Sequence, residues 1–235
     1  MDTLYYIILV PMVYVAFAVF ITGIVIQTVR VLRRPKPTTP LHIHPGKRPV
    51  WLWTLFDTFL LPTVFRHNRR LWVFLMMFHI CFFLVIIGHL ELISEMEWIQ
   101  VIEHDIFLGQ GFLGLFMAVA LLFFLFRRFV SPTKDLSVPE DYLLLILLFL
   151  TVIFGSEMDW ARRWYYYEEM SVDAYRAYLS SLVFLKPEIV DVSFSGHAFM
   201  LVLHVFFANF FLMFFPFSPL MHSIFAVFAN KLRRG

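Results

Sequence analysis

Long uninterrupted runs of apolar residues dominate the chain and are separated by shorter polar segments. An α-helix needs about 20 mostly apolar residues to cross the hydrocarbon core of a bilayer. Five runs meet this requirement, and they predict spans at about residues 4–28, 71–93, 106–126, 142–160 and 196–215, of which the fourth has the weakest pattern. The pattern predicts an all-α integral membrane protein, a bundle of five transmembrane helices.

The longest segments between the spans are residues 29–70 and 161–195, and neither is large enough for a separate soluble domain. Residues 1–235 are therefore predicted to form a single membrane-embedded domain. The amphipathic stretch from Trp51 to Phe65 predicts an interfacial segment, with docking of a cytoplasmic partner as the alternative. The aromatic residues 164–167 are typical of an interfacial belt, with contact to an outer partner as the alternative.

Composition supports the membrane assignment and limits the chemistry. Hydrophobic residues make up 60% of the chain and charged residues 15%, whereas soluble domains carry about 25% charged residues. The single cysteine, Cys81, excludes an internal disulfide, a covalent c-type haem and a four-cysteine iron–sulfur cluster made by this chain alone. No nucleic-acid partner is expected.

The basic residues predict the orientation. Segments 29–70, 127–141 and 216–235 hold 15 of the 19 Lys and Arg residues, and such residues concentrate in cytoplasmic loops. The N-terminus is therefore predicted outside and the C-terminus in the cytoplasm, with 29–70 as a cytoplasmic loop and 161–195 as an outer loop.

Four of the nine histidines lie within or beside the apolar runs, where a histidine is costly unless it has a partner. A haem with two histidine ligands takes one from each of two facing helices. The predicted depths pair His89 with His204 near the outer face and His79 with His222 near the cytoplasm, which predicts two haems b. His197, about two turns before His204, is an alternative ligand.

The spacing of these histidines is unequal. Ten residues separate the pair on span two and 18 separate the pair on span five, or about 15 and 27 Å along a continuous helix. Helix tilt and the prolines at 216 and 219 are available to absorb this difference, and His222 is placed at the inner end of the fifth helix. The alternatives are a haem-free transporter or proton-conducting protein, with a polar pathway formed by the histidines and Glu91, and a simple membrane anchor.

Several short motifs carry a family resemblance. They are Phe78-His79-Ile80, Gly88-His89, the turn from Arg127 to Pro132, and the segment from Leu203-His204 through Pro219 to His222. With these motifs the sequence resembles the gamma subunit of respiratory nitrate reductase. The longer cytoplasmic loop is similar to that of related cytochromes b in sulfite-reduction-associated and heterodisulfide reductase complexes.

The resemblance implies a dihaem cytochrome b in the cytoplasmic membrane of a prokaryote. It would exchange electrons between menaquinone or ubiquinone and a cytoplasmic iron–sulfur subunit of the heterodisulfide reductase or nitrate reductase beta type. Further membrane or outer-face cytochrome subunits are compatible with it. The quinone is expected beside Gly88 and His89, with Glu103, His104 and Gln110 as polar contacts or, alternatively, as interfacial residues only.

Overall fold

The structure, a computed structural model, describes residues 2–35, 48–93, 111–165, 172–189, 192 and 198–233. These ranges fold into α-helices joined by turns and short 3-10 segments. The helices are α1 Asp2–Leu9, α2 Pro11–Leu32, α3 Val50–Leu60, α4 Pro62–His67, α5 Arg69–Ile93, α6 Phe112–Arg127, α7 Pro139–Trp164, α8 Val172–Val183, α9 Ala198–Phe214 and α10 His222–Leu232.

Four segments are long and apolar enough to cross a membrane: Thr3–Leu32, Arg69–Ile93, Pro139–Ala161 and Ala198–Phe217. The prediction of an all-α, multi-pass membrane protein is confirmed. The segment with the weakest predicted span forms the 26-residue helix α7, which is longer than residues 142–160.

The predicted third span corresponds to α6, which has 16 residues. At 1.5 Å per residue this helix is about 24 Å long, shorter than the roughly 30 Å hydrocarbon core. Residues 106–110, the predicted start of this span, lie outside the described part of the chain. Five spans and their orientation therefore stay predictions.

The first span is interrupted between α1 and α2, where Pro11 has no amide hydrogen to continue the helix. Two carbonyls beside the interruption accept hydrogen bonds from distant side chains. Asn209 Nδ2 donates to Ile8 O at 3.3 Å, and the Tyr178 hydroxyl donates to Leu9 O at 2.7 Å. Burial raises the pKa of the Tyr178 phenol and keeps it a neutral donor. A helix break within a membrane requires such substitute partners.

Helix α8 lies in the segment predicted as the outer loop; it packs against α5 and contacts α1 through Tyr178. Its Tyr178 and Leu182 are buried in a core cluster with Leu9, Val13 and Leu201. The Ser180 hydroxyl also donates to the carbonyl of Ile93 at the end of α5. This part of the predicted outer loop thus packs within the helix bundle.

The predicted interfacial stretch 51–65 is helical and contains α3 and α4, which meet at a left-handed turn at Leu61 with φ of 46°. Trp51 and Phe59 of α3 are exposed. Helix α3 packs against α10, where Asn230 Nδ2 donates to the Thr58 hydroxyl at 2.9 Å. Helix α3 thus has exposed apolar side chains and a polar hydrogen bond that links it to α10.

The placement of His222 at the end of the fifth helix is wrong. Helix α9 ends at Phe214, and two 3-10 turns, Phe215–Phe217 and Pro219–Met221, precede a separate helix that begins at His222. Proline cannot donate the backbone hydrogen bond that a continuous helix needs. Pro216 is fully buried and lies against Gly23 of α2. The 18 residues between His204 and His222 therefore do not lie on one continuous helix.

Candidate functional site

The four predicted histidines share one pattern of hydrogen bonding. Each Nδ1 contacts a backbone carbonyl: His79 contacts Leu75 O at 2.7 Å, His89 contacts Val85 O at 2.8 Å, His204 contacts Thr151 O at 2.8 Å and His222 contacts Pro219 O at 2.9 Å. A carbonyl can only accept, so each Nδ1 carries the hydrogen and donates. Each Nε2 is left with a free lone pair, as required of a neutral imidazole that binds a metal.

This hydrogen bond is not sufficient to identify a ligand. His67 in the short helix α4 makes the same contact with Thr63 O at 2.7 Å. His67 differs from the four site histidines in its placement, because it lies in the segment between the first two predicted spans. It therefore provides a natural control for the role of the four.

His89 and His204 face each other across two helices. Their ring centres are 6.1 Å apart, and their planes differ by 29°. Helix α5 packs mainly on α6 and α8, whereas α9 packs mainly on α7 and α2, so the two histidine-bearing helices have other helices as their main packing partners within the described chain. The rings are near one another although their helices are held by other neighbours.

The separation of the two rings can be compared with that of a metal-bridged pair. A metal–imidazole bond is about 2.0 Å, and ring bonds of about 1.33 Å place a nitrogen about 1.1 Å from the ring centre. Two imidazoles on opposite sides of one metal would have centres about 6.2 Å apart. The observed separation of 6.1 Å is close to this value, so His89 and His204 would be the residues to hold a haem iron here.

His79 and His222 form the second predicted pair. His79 is half-buried on α5, and His222 is exposed at the first position of α10. The turns after α9 bring His222 into this position.

The predicted quinone contacts are only partly within the described chain. Gly88 is buried on α5 beside His89. Glu103, His104 and Gln110 lie outside the described residues, as does the alternative ligand His197. Glu91, the acid of the transporter alternative, is 5% exposed on α5.

The donor set suits haem better than a bare metal ion. Among the described residues, no group of three or more His, Cys, Asp and Glu side chains could hold a metal. Structural zinc sites need four protein ligands and catalytic ones three. A haem iron already has four porphyrin nitrogens and takes its axial ligands from the protein. Two imidazoles per site fit that requirement.

Sequence reasoning missed two residues that contact His204. Thr151 supplies the carbonyl that its Nδ1 contacts, and Gly155, one turn further along α7, lies directly against the ring. An isolated glycine inside an apolar helix indicates a close approach of another group. That signal was available at Gly155, but it does not specify which group approaches.

Comparisons with known proteins agree with the early resemblance. The profile of a family described as nitrate reductase gamma subunit matches residues 62–234. A protein of Archaeoglobus fulgidus named Hdr-like menaquinol oxidoreductase cytochrome b-like subunit is 32% identical over 169 residues, which cover 66% of this chain and 48% of that protein. A protein of the same name from Archaeoglobus profundus is 24% identical over 252 residues, covering 89% of this chain and 73% of that protein. The chain thus spans about half the length of the first relative.

Proposed function

The chain belongs to the nitrate reductase gamma subunit family, and we propose that it is the dihaem cytochrome b subunit of a membrane-bound quinone oxidoreductase. The proposal includes a single membrane domain over residues 1–235, with five spans, the N-terminus outside and the C-terminus in the cytoplasm. The relatives are named for menaquinol, which favours menaquinol over ubiquinol as the substrate.

The observation that carries the proposal is the geometry of His89 and His204. Their ring centres are 6.1 Å apart, and each Nδ1 donates to a carbonyl, so that each Nε2 is free. A polar transport pathway would not require two imidazoles at this separation with the same tautomer. A plain anchor would not require paired histidines on two separate spans.

The four histidines hold two haems b in this proposal, one between His89 and His204 and one between His79 and His222. When bound, haem b supplies reversible one-electron exchange. The backbone carbonyls fix the tautomer and the orientation of each imidazole before iron binds. In this proposal the four histidines and the carbonyls they contact act by ligand placement.

The quinone would bind near His89, at the outer end of α5. Oxidation of a quinol to a quinone releases two electrons and two protons. Gly88 has no side chain and permits a flat ring to approach this end of the helix. Glu103, His104 and Gln110 are the candidates to bind a quinone oxygen or accept a proton. Protons would leave to the outside while electrons pass inward.

The electron acceptor is proposed to be an iron–sulfur subunit on the cytoplasmic side. The relatives are named as Hdr-like, which favours a partner of the heterodisulfide reductase type over one of the nitrate reductase beta type. Exposed basic residues at helix ends on the predicted cytoplasmic side, among them Arg33, Arg69 and Lys231, suit an acidic partner surface.

A reduced-minus-oxidised visible spectrum with haem quantification tests the proposal on the purified complex. About two non-covalent haems b per chain are expected. His204→Ala should leave about one haem, while His67→Ala, which removes the same type of Nδ1 hydrogen bond outside the site, should leave about two. An intact wild-type complex without haem would refute the dihaem assignment and favour the transporter or anchor alternatives.

A further inference from the structure

His204 differs from the other three histidines in the acceptor of its Nδ1 hydrogen bond. His79, His89 and His222 donate to carbonyls three or four residues earlier in the chain. His204 donates to Thr151 O on the neighbouring helix α7, 53 residues away in sequence. The orientation of this ring is therefore fixed by packing between helices.

Gly155 makes this interhelical bond possible. In an α-helix the carbonyl of residue 151 points towards residue 155, so a side chain at 155 lies beside that carbonyl. A methyl group added to Gly155 would come within 2.7 Å of His204 Cε1 and 2.8 Å of its Nδ1. Ordinary contacts between heavy atoms are about 3.5–4.0 Å. Only glycine lets the imidazole reach the carbonyl of Thr151.

Packing between α9 and α7 opposes movement of the His204 imidazole away from Gly155. Helix α9 packs extensively along α7, and Phe154 stacks on Phe207 with ring centres 5.6 Å apart and planes within 6°. This aromatic pair joins the positions next to Gly155 and three residues after His204. A larger residue at 155 would therefore be accommodated by moving the imidazole or losing its hydrogen bond.

We propose that Gly155 and the Thr151 carbonyl form a seat for His204 that positions this ligand and tunes the electron affinity of the haem it binds. The inference rests on the proposed function. A donated Nδ1 hydrogen bond makes Nε2 a more basic ligand, and a more basic ligand favours the oxidised iron. The seat should thus hold the midpoint potential of the His89–His204 haem below the value it would have without the hydrogen bond.

Gly114→Ala is a matched control for Gly155→Ala. Gly114 on α6 lies against the Ser156 side chain, so an added methyl group would press on α7 one residue away from Gly155. It would strike Ser156 and not His204. Both variants add one methyl group at a tight contact of the same helix, but only one of them contacts the imidazole.

The test is a redox titration of the purified complex followed by visible and electron paramagnetic resonance spectra. With Gly155→Ala we expect a higher midpoint potential and a changed low-spin signal for one haem, or its loss, while the second haem is unchanged. Gly114→Ala should retain both wild-type potentials. Wild-type spectra for Gly155→Ala, or the same selective shift in Gly114→Ala, would contradict the proposed role of Gly155 in positioning His204. A wild-type complex without haem would instead overturn the proposed function.

If the Gly155→Ala complex assembles poorly, imidazole rescue of a His204→Gly variant provides a second test. In His204→Gly, added imidazole should restore the missing haem ligand, because the free base can occupy the vacated space. The double variant Gly155→Ala, His204→Gly should also regain the haem, because a free imidazole can shift away from the added methyl group, but with the higher midpoint potential expected without the Thr151 hydrogen bond. Recovery in the single variant without recovery in the double variant would show that Gly155 acts on the fold and not on His204.

Discussion

Gly23→Ala is predicted to disturb the His79–His222 haem selectively. A methyl group at this position of α2 would come within 2.5 Å of Pro216 Cβ and 2.8 Å of its Cγ. Ordinary carbon–carbon contacts are about 3.5–4.0 Å, so α2 and the turn at 215–217 must separate by about 1 Å. The proline ring is stiff and fully buried, and it cannot rotate out of the way.

Overpacking of this kind costs about 1–3 kcal/mol, and the displacement falls on the turn that precedes His222. His204 lies ten residues before the end of α9 and is held by α7, so it should remain in place. A redox titration of the complex should therefore show a changed or missing component for one haem and a wild-type component for the other. This pattern is the converse of the one expected for Gly155→Ala.

Ala18→Val is a suitable control, because it adds methyl groups to an exposed position of the same helix. It should leave both haems unchanged. The reasoning would be refuted if Gly23→Ala gave wild-type titrations for both components. It would equally be refuted if the component lost in His204→Ala were the one that shifted, since Pro216 would then not control the position of His222.

Two further predictions concern stability, measured as unfolding of the purified chain in detergent. Tyr178→Phe leaves the buried Leu9 carbonyl unpaired and should cost about 1–3 kcal/mol; because the folded-state pKa of Tyr178 is raised, this contribution should persist below about pH 10 and be lost at higher pH. Asp141→Ala removes the 2.8 Å ion pair between Asp141, whose side chain is 14% exposed, and Arg128, whose side chain is 28% exposed. This change should cost about 1–2 kcal/mol. The exposed control Asp173→Ala should cost less than about 0.5 kcal/mol. Equal losses for the two aspartates, or none for Tyr178→Phe, would contradict these assignments.

Apolar run length was sufficient to predict the class of fold and most of the helices. Run length underestimated the length of α7, because Glu157 and Asp159 near one end of this helix lower its average hydropathy. The helix nevertheless continues through both residues. Run length also could not reveal the break at Pro11. A proline interrupts a helix only locally, and its tolerance depends on partners such as Tyr178 and Asn209 from distant segments.

The candidate ligands could be named from the sequence because histidines are costly inside a membrane. Their geometry could not, since the count of 18 residues assumed one continuous helix, whereas His222 begins the separate helix α10. The role of Gly155 was equally inaccessible. It depends on which side chain of α9 meets α7, and this is decided by three-dimensional packing.

The interruption of the first span has a consequence for biogenesis. Its freed carbonyls are satisfied by Tyr178, 169 residues later, and by Asn209, 201 residues later. At synthesis rates of about 5–20 residues per second, the first span would wait about 10–40 seconds for these partners. During that interval water or the insertion machinery must supply hydrogen-bond donors to the free carbonyls at the break. The first span is thus synthesised well before the segments that complete its hydrogen bonding.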